Sequence, residues 1–142
     1  SSDLPFRHVP TYLAGYYKYK AGDQFTEGGK PVNGKRDICD IYAIMYETSE
    51  SVPTLDGTNA FTSPNLISTA RINNAKETNE WTYFKLPFTT LPGKFIDKEK
   101  LMDGKYNIAI VFTSSLEGDH FNGAIGSTLL IDEAELIYHS ED

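Results

Sequence analysis

The chain is poor in cysteine, in histidine, in basic residues and in long apolar runs. Cys39 is the one cysteine among 142 residues. It forms no internal disulfide, and no zinc motif can be built around a lone thiol. Both an intracellular home and an extracytoplasmic one therefore stay open. No run of about 18 apolar residues occurs, so no helix of this chain crosses a membrane. No secretory leader is recognisable in it. The opening Ser1-Ser2-Asp3 reads as the start of a domain cut from a longer protein, so an export signal or lipid anchor is expected outside it. Lys and Arg number 13 against 20 Asp and Glu, for a net charge of −7. That balance argues against sequence-independent binding to nucleic acid or to an anionic membrane surface, which needs clustered cations. No internal repeat or composition break divides the chain, and its length fits one domain with a real core.

What the chain has is aromatic side chains: nine Tyr, eight Phe and one Trp, 13% of all residues. Tyr and Phe fit pleated, half-buried surfaces. Residues 12–20 read as a strand with Leu13, Gly15, Tyr17 and Tyr19 on one face and Ala14, Tyr16, Lys18 and Lys20 on the other. Residues 37–47 form a near-continuous apolar run after an acidic start, as expected of a central strand buried on both faces. Residues 105–115 are read as central for the same reason. Residues 66–72 and 81–88 are further strands, and Pro87 puts the latter at an edge. Residues 127–136 form the last strand. Pro5 and Pro10 mark an extended lead-in. Residues 97–100 suit a short helical turn. The segments 21–36 and 48–65 are Gly- and Pro-punctuated loops. With no convincing long helix, these elements predict an all-β sandwich or barrel.

The stretch from Glu117 to Leu136 is the most distinctive. Three glycines, two acids, a histidine, an amide and an aromatic fall within residues 117–126, and a strand follows that keeps Asp132, Glu133 and Glu135 inside an apolar run. Residues 15–20, 37–47 and 108–136, above all the pattern Gly-Asp-x-Phe-x-Gly-Ala-x-Gly-Ser-x-Leu-x-x-Asp-Glu over 118–133, resemble the Putative carbohydrate metabolism domain family. The resemblance runs from about Leu13 to Ile137. It implies a jelly-roll β-sandwich of mainly antiparallel strands, similar to galactose-binding-like carbohydrate modules. It also implies an extracytoplasmic place, at the outer-membrane surface or in the periplasm, as the C-terminal part of a longer lipoprotein of Bacteroidota. It brings no set of catalytic residues with it.

Sugars offer C–H faces that stack on rings and hydroxyls that need polar partners. Trp and Tyr suit such half-wet sites. Trp81, Tyr16, Asp119, His120 and Asn122 are the candidate ligand-binding residues, the last three because polar groups on loops often serve binding. Tyr17, Tyr19 and Phe84 are assigned to the core. Asp132 and Glu133, adjacent on a strand, should point to opposite faces, which leaves one facing a sheet partner or the interior. In jelly-roll carbohydrate modules an acid on the last strand often holds a structural Ca²⁺, so Asp132 is the candidate metal ligand. The competing reading makes these acids an edge device that blunts strand pairing. Residues 56–59 look superficially like a calcium loop but lack its later acids, and read as a turn. Cys39, deep in an apolar run, reads as a small core side chain. With 20 acids, a carboxylate pair at hydrolase spacing would arise by chance, so it carries no argument. The expected function is a non-catalytic module that binds or positions a glycan or polysaccharide, beside a neighbouring domain. The alternatives are a glycoside hydrolase and a structural or adhesive module that binds protein.

Overall fold

A computed structural model describes residues 8–49, 61–116 and 122–138. In chain order the elements are β1 (Tyr12–Lys20), β2 (Phe25–Glu27), β3 (Lys30–Pro31), β4 (Asp40–Glu47), β5 (Leu66–Arg71), β6 (Thr78–Pro87), β7 (Thr89–Thr90), α1 (Lys98–Met102), β8 (Tyr106–Thr113), β9 (Gly123–Ala124) and β10 (Thr128–Ile137). All pairings are antiparallel. One sheet has the order β10-β1-β6, a second β7-β5-β4-β8, and a small third β3-β2-β9. The long strands alternate between the two larger sheets as in a jelly roll: β1 in one, β4 and β5 in the other, then back to β6, across to β8, and back to β10. The fold is a β-sandwich, with both principal sheets laid over one core.

The inward side chains of the two sheets fill that core. Leu13, Tyr17 and Tyr19 of β1 and Phe84 and Leu86 of β6 meet Ile41, Ala43 and Met45 of β4 and Tyr106 and Ile108 of β8. The alternation read from residues 12–20 therefore holds, and Cys39 is buried in the same cluster. β4 is central and buried on both faces, because Tyr42, Ile44 and Tyr46 pack into a second cluster with Leu66, Leu91 and Val111. One expectation changes. β8 is apolar but lies at the end of its sheet, paired in full register with β4. Its outward residues Ala109 and Val111 belong to the second cluster, and that explains the continuous apolar run without a central position. The glycine-rich stretch joins β8 to β10. It crosses from one sheet to the other, and on the way Gly123 and Ala124 pair with β2.

The remaining connections are tied down locally. Asp97 caps α1, accepting from the N–H groups of Glu99 (2.8 Å) and Lys100 (3.2 Å). The lead-in is pinned beside β10 and β6: Thr11 N–H donates to Ile137 O (2.7 Å), and Phe88 N–H donates to Thr11 O (2.9 Å).

The last strand resolves the puzzle of its own acids. Leu129 and Ile131 face the core opposite Tyr19 and Tyr17. Continued with period two, the next inward residues would be Glu133 and Glu135. Instead the register shifts between Ala14 and Tyr16, so Gly15 alone faces two residues, Glu133 and Ala134. This is a β-bulge, with Glu133 in the left-handed region at φ 51°. The extra residue reverses the phase. Leu136 then falls inward against Leu13, and Asp132, Glu133 and Glu135 are all exposed. The expectation that one of the adjacent pair Asp132 and Glu133 faces inward is thus corrected. The bulge turns both outward on an edge strand.

Candidate functional site

The outward face of the β10-β1-β6 sheet is built from four rows of side chains, given by the cross-strand register. Leu130 lies beside Lys18, with Trp81 next on β6. Asp132, Tyr16 and Tyr83 form the second row, Glu135, Ala14 and Lys85 the third, and Ile137, Tyr12 and Pro87 the fourth. The rings lie against one another and against lysines. Tyr16 and Tyr83 have centroids 5.2 Å apart, Lys18 Nζ sits 4.8 Å over the Trp81 ring, and Lys85 Nζ sits 4.4 Å over the Tyr12 ring. These contacts hold the rings in place at little entropic cost. Trp81 is 44% exposed and Tyr83 53%, far more than core rings such as Tyr19 at 2%. The result is an aromatic strip edged by carboxylates along β10.

Of the candidate residues, Tyr16 and Trp81 share this face with Asp132. Asp132 is exposed, and its Oδ1 accepts from Glu133 N–H (2.9 Å). Among the described residues, no three His, Cys, Asp or Glu side chains gather as a metal site would require. Asn122 belongs to another part of the molecule: its Oδ1 accepts from Gly28 N–H (3.0 Å), fastening the β2–β3 turn to the small sheet. Asp119 and His120 lie outside the described residues, as does the turn at 56–59.

Sequence reasoning missed the group that positions the glycine-rich stretch. Asp37 is 5% exposed. Its Oδ2 accepts from Ser115 Oγ (2.5 Å), Ser127 Oγ (2.6 Å) and Ala124 N–H (2.9 Å), and its Oδ1 accepts from Ile38 N–H (2.9 Å). Ser127 Oγ in turn accepts from Gly22 N–H (3.0 Å). One carboxylate thus ties together the segments after β1, before β4, after β8 and before β10. Gly123 is required there, because a Cβ would lie 2.9 Å from Ser115 Oγ. The signal in the sequence was the acid at the head of an apolar run, since a buried carboxylate must find donors. Asp40 follows the same rule. It is buried and accepts from Arg71 Nε (3.1 Å) and an Arg71 terminal nitrogen (2.6 Å), while that guanidinium lies 4.3 Å from the Phe61 ring. Burial pushes the Cys39 thiol up to about 11, which marks an inert core side chain rather than a nucleophile.

These features define a β-sandwich of jelly-roll strand order with a solvent-facing aromatic strip on one sheet. The chain belongs to the Putative carbohydrate metabolism domain family, whose model matches residues 3–137. It is also similar to two solved structures. A putative glycoside hydrolase from Bacteroides thetaiotaomicron is 88% identical with a TM-score of 0.93, over 97% of this chain and 40% of that one. A putative glycoside hydrolase from Bacteroides vulgatus is 45% identical with a TM-score of 0.87, over 95% of this chain and 54% of that one. The chain thus spans about half or less of the length of either relative. No curated protein matches it.

Proposed function

We propose that this domain is a non-catalytic module that binds or positions a glycan outside the cytoplasm, as one part of a longer surface or periplasmic chain. The observation that carries the reading is the strip in which exposed Trp81 and Tyr83 lie beside half-buried Tyr16 and Tyr12. Flat faces of rigid amphipathic rings suit the C–H faces of pyranose rings, and their polar tips suit the hydroxyls at the edge. Membership of a carbohydrate-related family fits this reading. So does the greater length of both relatives, which leaves room for a neighbouring domain that does the chemistry. Glycan-array screening followed by affinity electrophoresis tests it. The expected result is retention by at least one polysaccharide, weakened at least tenfold by Trp81→Ala, as for a central aromatic anchor worth about 1.4 kcal/mol or more. Because Trp81 is exposed, the melting temperature should stay unchanged. Retention that ignores Trp81→Ala would sink the assignment to this face.

A second reading is favoured by the description of both relatives as glycoside hydrolases. On the aromatic face, however, Asp132 and Glu135 lie along one strand and do not oppose each other across a cleft. Hydrolysis needs two carboxylates flanking the scissile bond. Release of reducing sugar by this domain alone would favour the hydrolase.

A further inference from the structure

Resting on the glycan reading, we propose that Asp132 is the residue of the aromatic face that selects hydroxylated sugar rings, and that the bulge at Glu133 and Ala134 serves to aim it. Three observations meet at this point. First, Asp132 pairs with Tyr16 in the same row as Tyr83, which puts its carboxylate on the same face as these two rings, whose planes are tilted by 56°. Second, it is exposed yet held: Oδ1 accepts from Glu133 N–H at 2.9 Å on a residue open to solvent. Third, the backbone that makes this bond is strained. Glu133 stands at φ 51°, in the left-handed region that disfavours a side chain and where a bulge of this kind ordinarily carries glycine. Reversing the strand's phase needs the extra residue but does not need a glutamate there.

The opposite strand is shaped to accept this geometry. A Cβ on Gly15 would lie 2.9 Å from Phe84 Cζ and 3.1 Å from Ala134 Cα, so only glycine lets the bulged backbone come this close. Strained residues in an otherwise regular strand concentrate where a side chain has to be placed. The carboxylate has acceptors only. A ring stacked on Tyr16 and Tyr83 would present its edge to Asp132, and the matching edge group is a hydroxyl pair. An acidic sugar would place like charges together there. The ligand class is therefore a neutral, hydroxyl-rich polysaccharide. Tyr16 and Tyr83, with Trp81 in the next row, supply the ring faces, and Asp132 supplies the hydrogen bonds that tell one sugar from another.

Affinity electrophoresis and calorimetry on the polysaccharide that best retains the wild-type domain test the proposal. Asp132→Asn keeps the oxygen that accepts from Glu133 N–H and should fold normally, with an unchanged melting temperature. Its affinity should drop about tenfold, the scale of one charge-assisted hydrogen bond. Asp103→Asn, an exposed carboxyl at the end of α1 and outside this sheet, should bind within about twofold of wild type, as surface changes without a specific contact do. Three outcomes overturn the proposal. If Trp81→Ala abolishes binding while Asp132→Asn binds like wild type, the glycan reading stands and the role of Asp132 falls. If the best ligands are carboxylated or sulfated glycans, the neutral class falls. If no polysaccharide retains the wild-type domain, the glycan reading and this inference fall together.

Discussion

Asp37 accepts four hydrogen bonds from four different residues while nearly excluded from water. Removing it would leave two hydroxyls and a backbone N–H buried without their partner. Each such group carries a desolvation cost, so Asp37→Ala should lower the unfolding free energy by about 3 kcal/mol in urea titration. A loss below about 1 kcal/mol would mean that water replaces the carboxylate. Tyr19 is the second residue whose burial has a measurable consequence. Its hydroxyl donates to Ser114 O (2.7 Å), and burial pushes the phenol from 10.0 up to about 12. The unfolded chain gives up this proton near pH 10, whereas the folded chain keeps it to about 12. Stability from this group is complete below pH 10 and is lost as pH rises through about 12. The Cys39 thiol, raised from 9.0 to about 11, acts with the same sign from lower pH. The urea midpoint should therefore fall steadily above pH 9, and in Tyr19→Phe it should fall less steeply between 10 and 12. Equal slopes in the two proteins would remove Tyr19 from the account.

Among the elements, β10 is the one that periodicity could not read. Its apolar residues fall at 129, 130, 131, 134, 136 and 137, which fits neither an uninterrupted two-residue period nor a helix. The bulge reconciles them, because one unpaired residue moves Leu136 to the inward side and Glu135 out. The pairing implies a sharp test. Deleting Glu133 would set Ala134 opposite Gly15 and leave every other pair of β1 and β10 as it is, so stability should stay within about 1 kcal/mol of wild type. Glu133→Pro removes the N–H that Asp132 accepts and demands φ near −65° where 51° is found, so it should cost about 3 kcal/mol. Urea unfolding of the two variants decides the matter. A deletion as damaging as the proline would mean that the bulge also supports the core. The other long strands were legible from their apolar patterns, whereas the short β2 and β3 fall in the segment 21–36 that reads as a loop. The 12–20 strand was readable residue by residue, and Pro87 correctly marked β6 as an edge. β8 was misplaced because an apolar run reports burial on both faces, which a covering cluster supplies as well as a second neighbouring strand does.

For the whole molecule, the aromatic face gathers side chains from three strands that are far apart in the chain. Trp81 and Tyr16 could be singled out because Trp and Tyr carry both an apolar ring and a polar tip. Their meeting depends on β6 pairing with β1, and that Asp132 joins them depends on β10 pairing with the other side of β1. Asn122 was singled out as a polar group on a loop, and its Oδ1 accepts from Gly28 N–H within the small sheet. The sequence alone determined the all-β class, the faces of the regular strands, the burial of Cys39 and the family, since all of these follow from local periodicity and local pattern. The tertiary structure decided which faces came together, which acids found donors and which were turned to solvent. Those outcomes depend on cross-strand register and on contacts between distant residues, and a bulge of one residue is enough to reverse them.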